Sequence, residues 1–245
     1  MKRFLFFFLG LLLVVTLPVC AKDAPAPAGM SAPATPSALH YLEPSAIDIK
    51  ALLPAPSAEG SPETQKEIEL MLEKQKTRTP EEVARAKSEV KLDVFAFADV
   101  LGPWFTPKNV PSTTVFFQNI TEDVRAVTDA AKKDFARPRP YVQDKRIQPA
   151  VDLEKSLSYP SGHATRAMVY ALVLASLIPE QKEAILARGK QIGDDRVIGG
   201  VHFPSDIAAG QKLAQAIYEK LVANEDFQEA SVVAQTEIIG ARAKK

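Results

Sequence analysis

One cysteine, one tryptophan and three histidines in 245 residues narrow the chemistry before any motif is considered. A lone thiol, Cys20, excludes an internal disulfide. The histidines stand at positions 40, 163 and 202 with no cysteine or histidine cluster, so neither a metal nor another cofactor is expected. Charge of one sign is lacking too: thirty basic residues balance thirty acidic ones. That balance removes the broad electrostatic case for nucleic acid or an anionic membrane surface as partner. Alternating strand patterns and internal repeats are absent.

What is present begins with the N-terminus. Lys2 and Arg3 precede an apolar stretch over residues 4–17, and Val19-Cys20-Ala21 supplies small residues at a cleavage spacing. The stretch is short for a membrane span, which needs roughly 20 residues, so residues 1–21 are expected to be a signal peptide cut after Ala21. Cleavage there removes Cys20; lipidation of Cys20 is the alternative and would leave the protein tethered. Residues 22–45 are expected to be a Pro/Ala-rich linker, because Pro25, Pro27, Pro33 and Pro36 oppose regular helix and there is little to bury. Residues 46–240 then form one domain, followed by a short basic tail at 241–245. About 200 residues suffice for a single substantial core.

Inside the domain the patterns are helical. Ser61-Pro62 and Thr79-Pro80 each place a capping residue before a proline suited to the first helical position, and Glu82 completes a capping box with Thr79. Gly102-Pro103 stops a helix carrying Val94, Phe97 and Leu101. Asn119 and Glu122 suit the start of the next, which runs toward Pro138. Residues 164–178 are apolar on nearly every side, as a central bundle helix is, and are too few to cross a membrane. A further helix begins near Pro204. The expected fold is all-α, a compact single-domain helical bundle.

Three segments carry chemistry. In Lys132-x6-Arg139-Pro140, two helical turns bring both cations to one face, where they can converge on an anion. A guanidinium can also grip two oxygens at once. In Pro160-Ser161-Gly162-His163, directly before the apolar helix, Ser161 can cap the helix or donate to a phosphate. Gly162 admits a close backbone approach, and His163 can hand on a proton. In Arg196-x5-His202-x3-Asp206, Pro204 starts a helix that sets Asp206 one turn inside, within reach of His202. A carboxylate on Nδ1–H leaves Nε2 free as a nucleophile. Each segment alone also reads blandly, as a solvated basic surface, a capped turn or a structural histidine. Together, in order, they supply every part of a phosphoryl-transfer site.

At these residues the chain resembles the acid phosphatase and vanadium haloperoxidase superfamily, also called the type-2 phosphatidic acid phosphatase superfamily. Within it the likeness is to the secreted class A nonspecific acid phosphatases of bacteria, over roughly residues 50–240. The resemblance implies a compact all-helical enzyme that hydrolyses small phosphomonoesters without metal or cofactor. It further implies that Lys132, Arg139, Ser161, Gly162 and Arg196 bind the phosphoryl oxygens, with inorganic phosphate or vanadate as ligand. His202 would attack phosphorus to make a phosphohistidine, His163 would protonate the leaving alcohol, and Asp206 would orient His202. The chain departs from the family at Asp195-Arg196, where Ser-Arg is usual. Asp195 either opposes the phosphate or points away and holds Arg196; the second is expected.

A vanadium haloperoxidase uses nearly the same constellation but is far longer. A lipid or isoprenoid diphosphate phosphatase of the membrane branch would carry several spans, and none follows residue 21. A noncatalytic phosphate-binding module would not need His163, His202 and Asp206. By analogy the protein is expected in a bacterial periplasm or medium, with no stable membrane span after signal cleavage. Monomer and homo-oligomer both stay open.

Overall fold

The computed structural model describes residues 39–244. The expected signal peptide and residues 22–38 of the expected linker lie outside them. Ten α-helices and no strand occur among the described residues: α1 (Ile49–Leu52), α2 (Pro62–Thr77), α3 (Pro80–Ser88), α4 (Ala98–Leu101), α5 (Pro111–Phe135), α6 (Pro140–Gln143), α7 (Gly162–Leu177), α8 (Lys182–Ile198), α9 (Pro204–Val222) and α10 (Glu225–Ala243). None is long and apolar enough to cross a membrane. The expected all-α bundle is the observed one.

Local signals set several ends as anticipated. Ser61 Oγ accepts from Thr64 N at the start of α2. At α3 Thr79 and Glu82 exchange both bonds of a capping box, at 3.2 and 2.9 Å. Gly102 ends α4 at φ 105°, a conformation that side chains with a Cβ avoid. The start of α5 is different. Asn119 and Glu122 do not open it; the helix begins at Pro111 and runs for 25 residues. Its first-turn amides at Ser112 and Thr113 donate to the Glu237 carboxylate of α10, at 3.0 and 2.7 Å. A cap supplied from 125 residues away leaves no local trace.

The helix apolar on nearly all sides, α7, is the axis of the bundle. Val169, Val173 and Leu174 are fully buried, each worth roughly 1.5–3 kcal/mol relative to exposure. It packs most extensively on α8 and α9. The approach of α8 depends on Gly189, where a Cβ would stand 2.6 Å from Ala171 Cβ and 3.1 Å from the Ala167 carbonyl oxygen. Arg188, its neighbour, is buried and ties α8 to Glu89 at the end of α3 and Asp99 of α4, at 2.7 and 2.8 Å.

Both ends of the domain extend past their expected limits. The linker does not continue to residue 45. His40 and Tyr41 amides donate to the buried Asp123 carboxylate at 2.9 and 2.8 Å, and Leu42 is in the core. Asp123 needs these donors because a buried carboxylate without partners is costly. His40, given no role from sequence, also meets Glu122 at 3.0 Å. The expected tail is partly helical: Arg242 lies within α10, pairs with Glu180 and stands 6.0 Å over the Trp104 ring.

Replacing Gly189 by alanine is expected to lower stability by about 1–3 kcal/mol through overpacking at α7. A thermal melt followed by circular dichroism would show a midpoint several degrees lower; an unchanged midpoint would mean that the two helices separate freely.

Candidate active site

Four chain segments meet where α5 ends and α7 and α9 begin. Lys132 comes from the last turn of α5, but Arg139 does not continue that helix. Ala136 turns the chain at φ 49°, and Arg139 stands in extended backbone ahead of α6. The two cations therefore converge through a turn rather than through two helical turns. Arg196 is in the last turn of α8. The chain then reverses at Gly200, φ 75°, with Pro149 Cα only 3.2 Å from where a Cβ would be, and delivers His202 ahead of α9.

His202 is completely buried, with Nδ1 3.2 Å from Asp206 Oδ2 and Nε2 2.8 Å from an Arg139 Nη1. Arginine can only donate, so Nε2 carries the lone pair and Nδ1 the hydrogen. Burial and then the Arg139 and Lys132 charges hold this imidazole well below its ordinary pKa, so it is neutral. Asp206 is held in turn. Its Oδ1 accepts from Arg137 at 2.7 Å, and its Oδ2 from Ser158 Oγ at 2.5 Å and Phe203 N at 2.8 Å.

His163 lies in the first turn of α7, with Nε2 3.2 Å from the Val90 carbonyl oxygen and Nδ1 3.7 Å from a Glu154 oxygen. Burial, then Arg196 and Arg166, lower its pKa to about 3. Ser161 is the helix cap, its Oγ accepting from Ala164 N at 3.3 Å. At Gly162 a Cβ would meet only ordinary contacts with Thr128 and Lys132, at 3.6 and 3.9 Å. Protein packing therefore does not demand glycine there, and the residue lines a cavity of about 190 Å³ with Lys132, Glu154, Ser156, His163 and Arg166.

The cations are only partly paired. Arg139 donates to Glu154 at 2.7 Å, and Arg196 to the other Glu154 oxygen at 2.8 Å. Arg196 is fully buried, and its Nε and second amino group have no partner. Unpaired buried N–H groups are uncommon and fit the oxygens of a tetrahedral oxyanion. The Lys132 ammonium reaches the Leu157 and Ser158 carbonyl oxygens; burial and Arg139 bring its pKa down to about 8. All eight residues singled out from the sequence thus occupy one neighbourhood.

Three participants went unseen in the sequence. Arg137 read as part of a solvated basic patch, yet it is buried, spans Asp206 and Glu67 at 2.7 and 2.8 Å, and stacks 3.8 Å over Phe203. Glu154 is the carboxylate between Arg139 and Arg196. Burial opposes its ionisation, but the Arg139 and Arg196 charges hold it below the usual carboxylate range. Ser158 bonds to Asp206. Nothing in their spacing separates these from ordinary surface residues. Asp195 points away from the cradle, but what it holds is Arg85 of α3, by two bonds of 2.6 and 2.7 Å, and not Arg196.

The chain matches the PAP2 superfamily over residues 113–218. It is 33% identical over 200 residues to a non-specific acid phosphatase of Providencia stuartii, covering 78% of this chain and 81% of that one. It is also 33% identical over 147 residues to a non-specific acid phosphatase of Salmonella typhi, covering 58% of this chain and 59% of that one. Among solved structures it shares the fold of a bacterial vanadium-dependent iodoperoxidase, with a TM-score of 0.53 at 15% identity over 72% of this chain and 52% of that one. The chain belongs to the PAP2 superfamily.

Asp195→Ser is expected to lower the melting midpoint, because Arg85 loses its partner, while the Michaelis constant for a phosphomonoester moves less than twofold. A large fall in that constant would mean that the Asp195 charge opposes the substrate. A second expectation concerns acid. Between pH 6.5 and about 3 the unfolded chain takes up a proton that folded His163 refuses, so this residue's contribution to stability falls as pH falls. His163→Asn should flatten the decline of melting midpoint across that window; an identical slope would show that folded His163 takes up its proton as the unfolded chain does.

Proposed function

We propose that this chain is an exported acid phosphatase that hydrolyses small phosphomonoesters through a phosphohistidine on His202, without a metal. The observation that carries the reading is His202 itself. It is a buried neutral imidazole whose Nδ1 faces Asp206 and whose Nε2 lone pair faces Arg139, with the Lys132 and Arg196 charges also acting on the ring. A histidine kept only for packing does not need its lone pair directed at cations, and a simple anion receptor does not need a nucleophile.

In this reading the substrate's phosphoryl oxygens take the N–H groups of Arg139, Arg196 and the Gly162 backbone, with Lys132 and Ser161 alongside. Negative charge that spreads over those oxygens in the transition state meets donors already in place. His202 Nε2 attacks phosphorus in line as the ester P–O bond breaks. Asp206, braced by Arg137, offsets the positive charge that develops on the ring. Burial keeps free His163 neutral, so the proton for the leaving alcohol arrives with the substrate as its monoanion, the form that predominates below pH ~6. His163 relays that proton to the departing oxygen. It then accepts one from the water that cleaves the phosphohistidine and releases phosphate. Activity on the acid side of neutrality follows from that requirement. Export rests on the Lys2-Arg3 and apolar signal pattern, with cleavage after Ala21.

The test is p-nitrophenyl phosphate hydrolysis from pH 4 to 9 with EDTA present, together with an alkaline quench to trap phosphoenzyme. Activity should peak on the acid side, resist EDTA and be blocked by vanadate. His202→Ala should lose both turnover and the trapped adduct. His163→Ala should slow alkyl phosphates by about 10²–10⁴, and p-nitrophenyl phosphate much less, because only the poor leaving group needs the acid. A folded protein with no hydrolysis at any pH, or equal loss for all leaving groups, would overturn the corresponding step.

A further inference from the structure

Arg166 stands apart from the other described arginines. Arg137, Arg139, Arg188 and Arg196 each meet a carboxylate within 2.8 Å. Alone among the described arginines, Arg166 makes no side-chain hydrogen bond or ion pair, and its Nε is buried without a partner. It follows His163 by three residues on α7, a spacing that places both side chains on one helix face. Both line the same cavity, and Arg125 of α5 lines it too. Of the two acids there, Glu154 is already engaged by Arg139 and Arg196, and Asp129 stands 3.7 Å from Arg125. Arg166 is therefore left without an ion-pair partner in the space next to His163.

We propose that Arg166, with Arg125 at the rim, forms a second anion subsite on the leaving-group side. The favoured substrates are then phosphate esters or anhydrides whose leaving group carries a further anionic group close to the bridging oxygen. This inference rests on the phosphatase reading above, because it assigns the leaving-group side from His163. A carboxylate or a second phosphate supplies the same chemistry, two oxygens for one guanidinium fork. The cavity, at about 190 Å³, holds roughly six waters' volume, so the second group lies only a few bonds from the first.

The experiment compares kcat/KM of the purified protein, Arg166→Gln and Arg166→Lys on ethyl phosphate, phosphoglycolate and inorganic pyrophosphate, with p-nitrophenyl phosphate as reference. Arg166→Gln should lose about tenfold or more on phosphoglycolate, pyrophosphate or both, relative to its loss on ethyl phosphate, as expected for a hydrogen bond to a charged group. Arg166→Lys should recover part of that difference. Selective loss on phosphoglycolate alone assigns a carboxylate; selective loss on pyrophosphate alone assigns a second phosphate. Equal loss on all three overturns the subsite. If the glutamine variant fails to fold, as judged by its melt, the lysine variant carries the comparison, and equal activity on the three substrates relative to wild type overturns it. Wild-type protein inactive even on p-nitrophenyl phosphate would instead overturn the phosphatase reading.

Discussion

The Asp206 carboxylate is the junction on which the site depends. Four donors converge on it from different parts of the chain: Arg137 from the turn after α5, Ser158 from the segment before α7, His202, and the Phe203 amide that starts α9. The Ser161 amide adds a bond to the Asp206 main-chain oxygen at 3.0 Å. The cap of α7 and the start of α9 are thus fixed to each other within one residue. Arg137 extends the junction to Glu67 of α2. Removing one partner of such a buried network leaves an uncompensated charge and costs roughly 3–5 kcal/mol, so the geometry of His202 and the stability of the bundle are not separable quantities.

Around that junction the site is a problem of charge in a dry place. Three cations within a buried cluster repel one another; each pushes His202 toward its neutral form, while Arg196, with Arg166, does the same to His163. Glu154 relieves part of that repulsion, sitting between Arg139 and Arg196 as an internal anion. His163 gains its orientation from farther out. Its Nε2 meets the Val90 carbonyl oxygen, and the residue before Val90, Glu89, is pinned by Arg188. Burial, then the Asp195 charge, raise the Glu89 pKa to about 7. Asp195 in turn belongs to Arg85. The acidic residue that breaks the usual family pattern is therefore part of an ion-pair layer behind the site, between α3 and α8.

Residues that act through their neighbours in sequence were legible. The capping box at Thr79, the stop at Gly102 and the apolar run that became α7 are local events, decided within one or two turns. The three motif segments were legible because each keeps its chemical parts within a few residues. The beginning of α5 was not, since its cap is the Glu237 side chain from the far end of the domain. Arg137 and Glu154 escaped for a related reason. An arginine in a basic stretch and a glutamate in an irregular loop look solvated until the fold buries them against each other's opposites.

The sequence by itself determined the helical class and the central helix and singled out eight candidate site residues that the fold then gathers, because periodicity, caps and motif spacing are short-range properties of the chain. Tertiary structure decided the rest: how Lys132 and Arg139 converge through a turn, which carboxylate stands between the arginines, what Asp195 holds, and that Arg166 is left unpaired. Those outcomes depend on burial and on partners tens of residues away, and neither exists until the helices have packed.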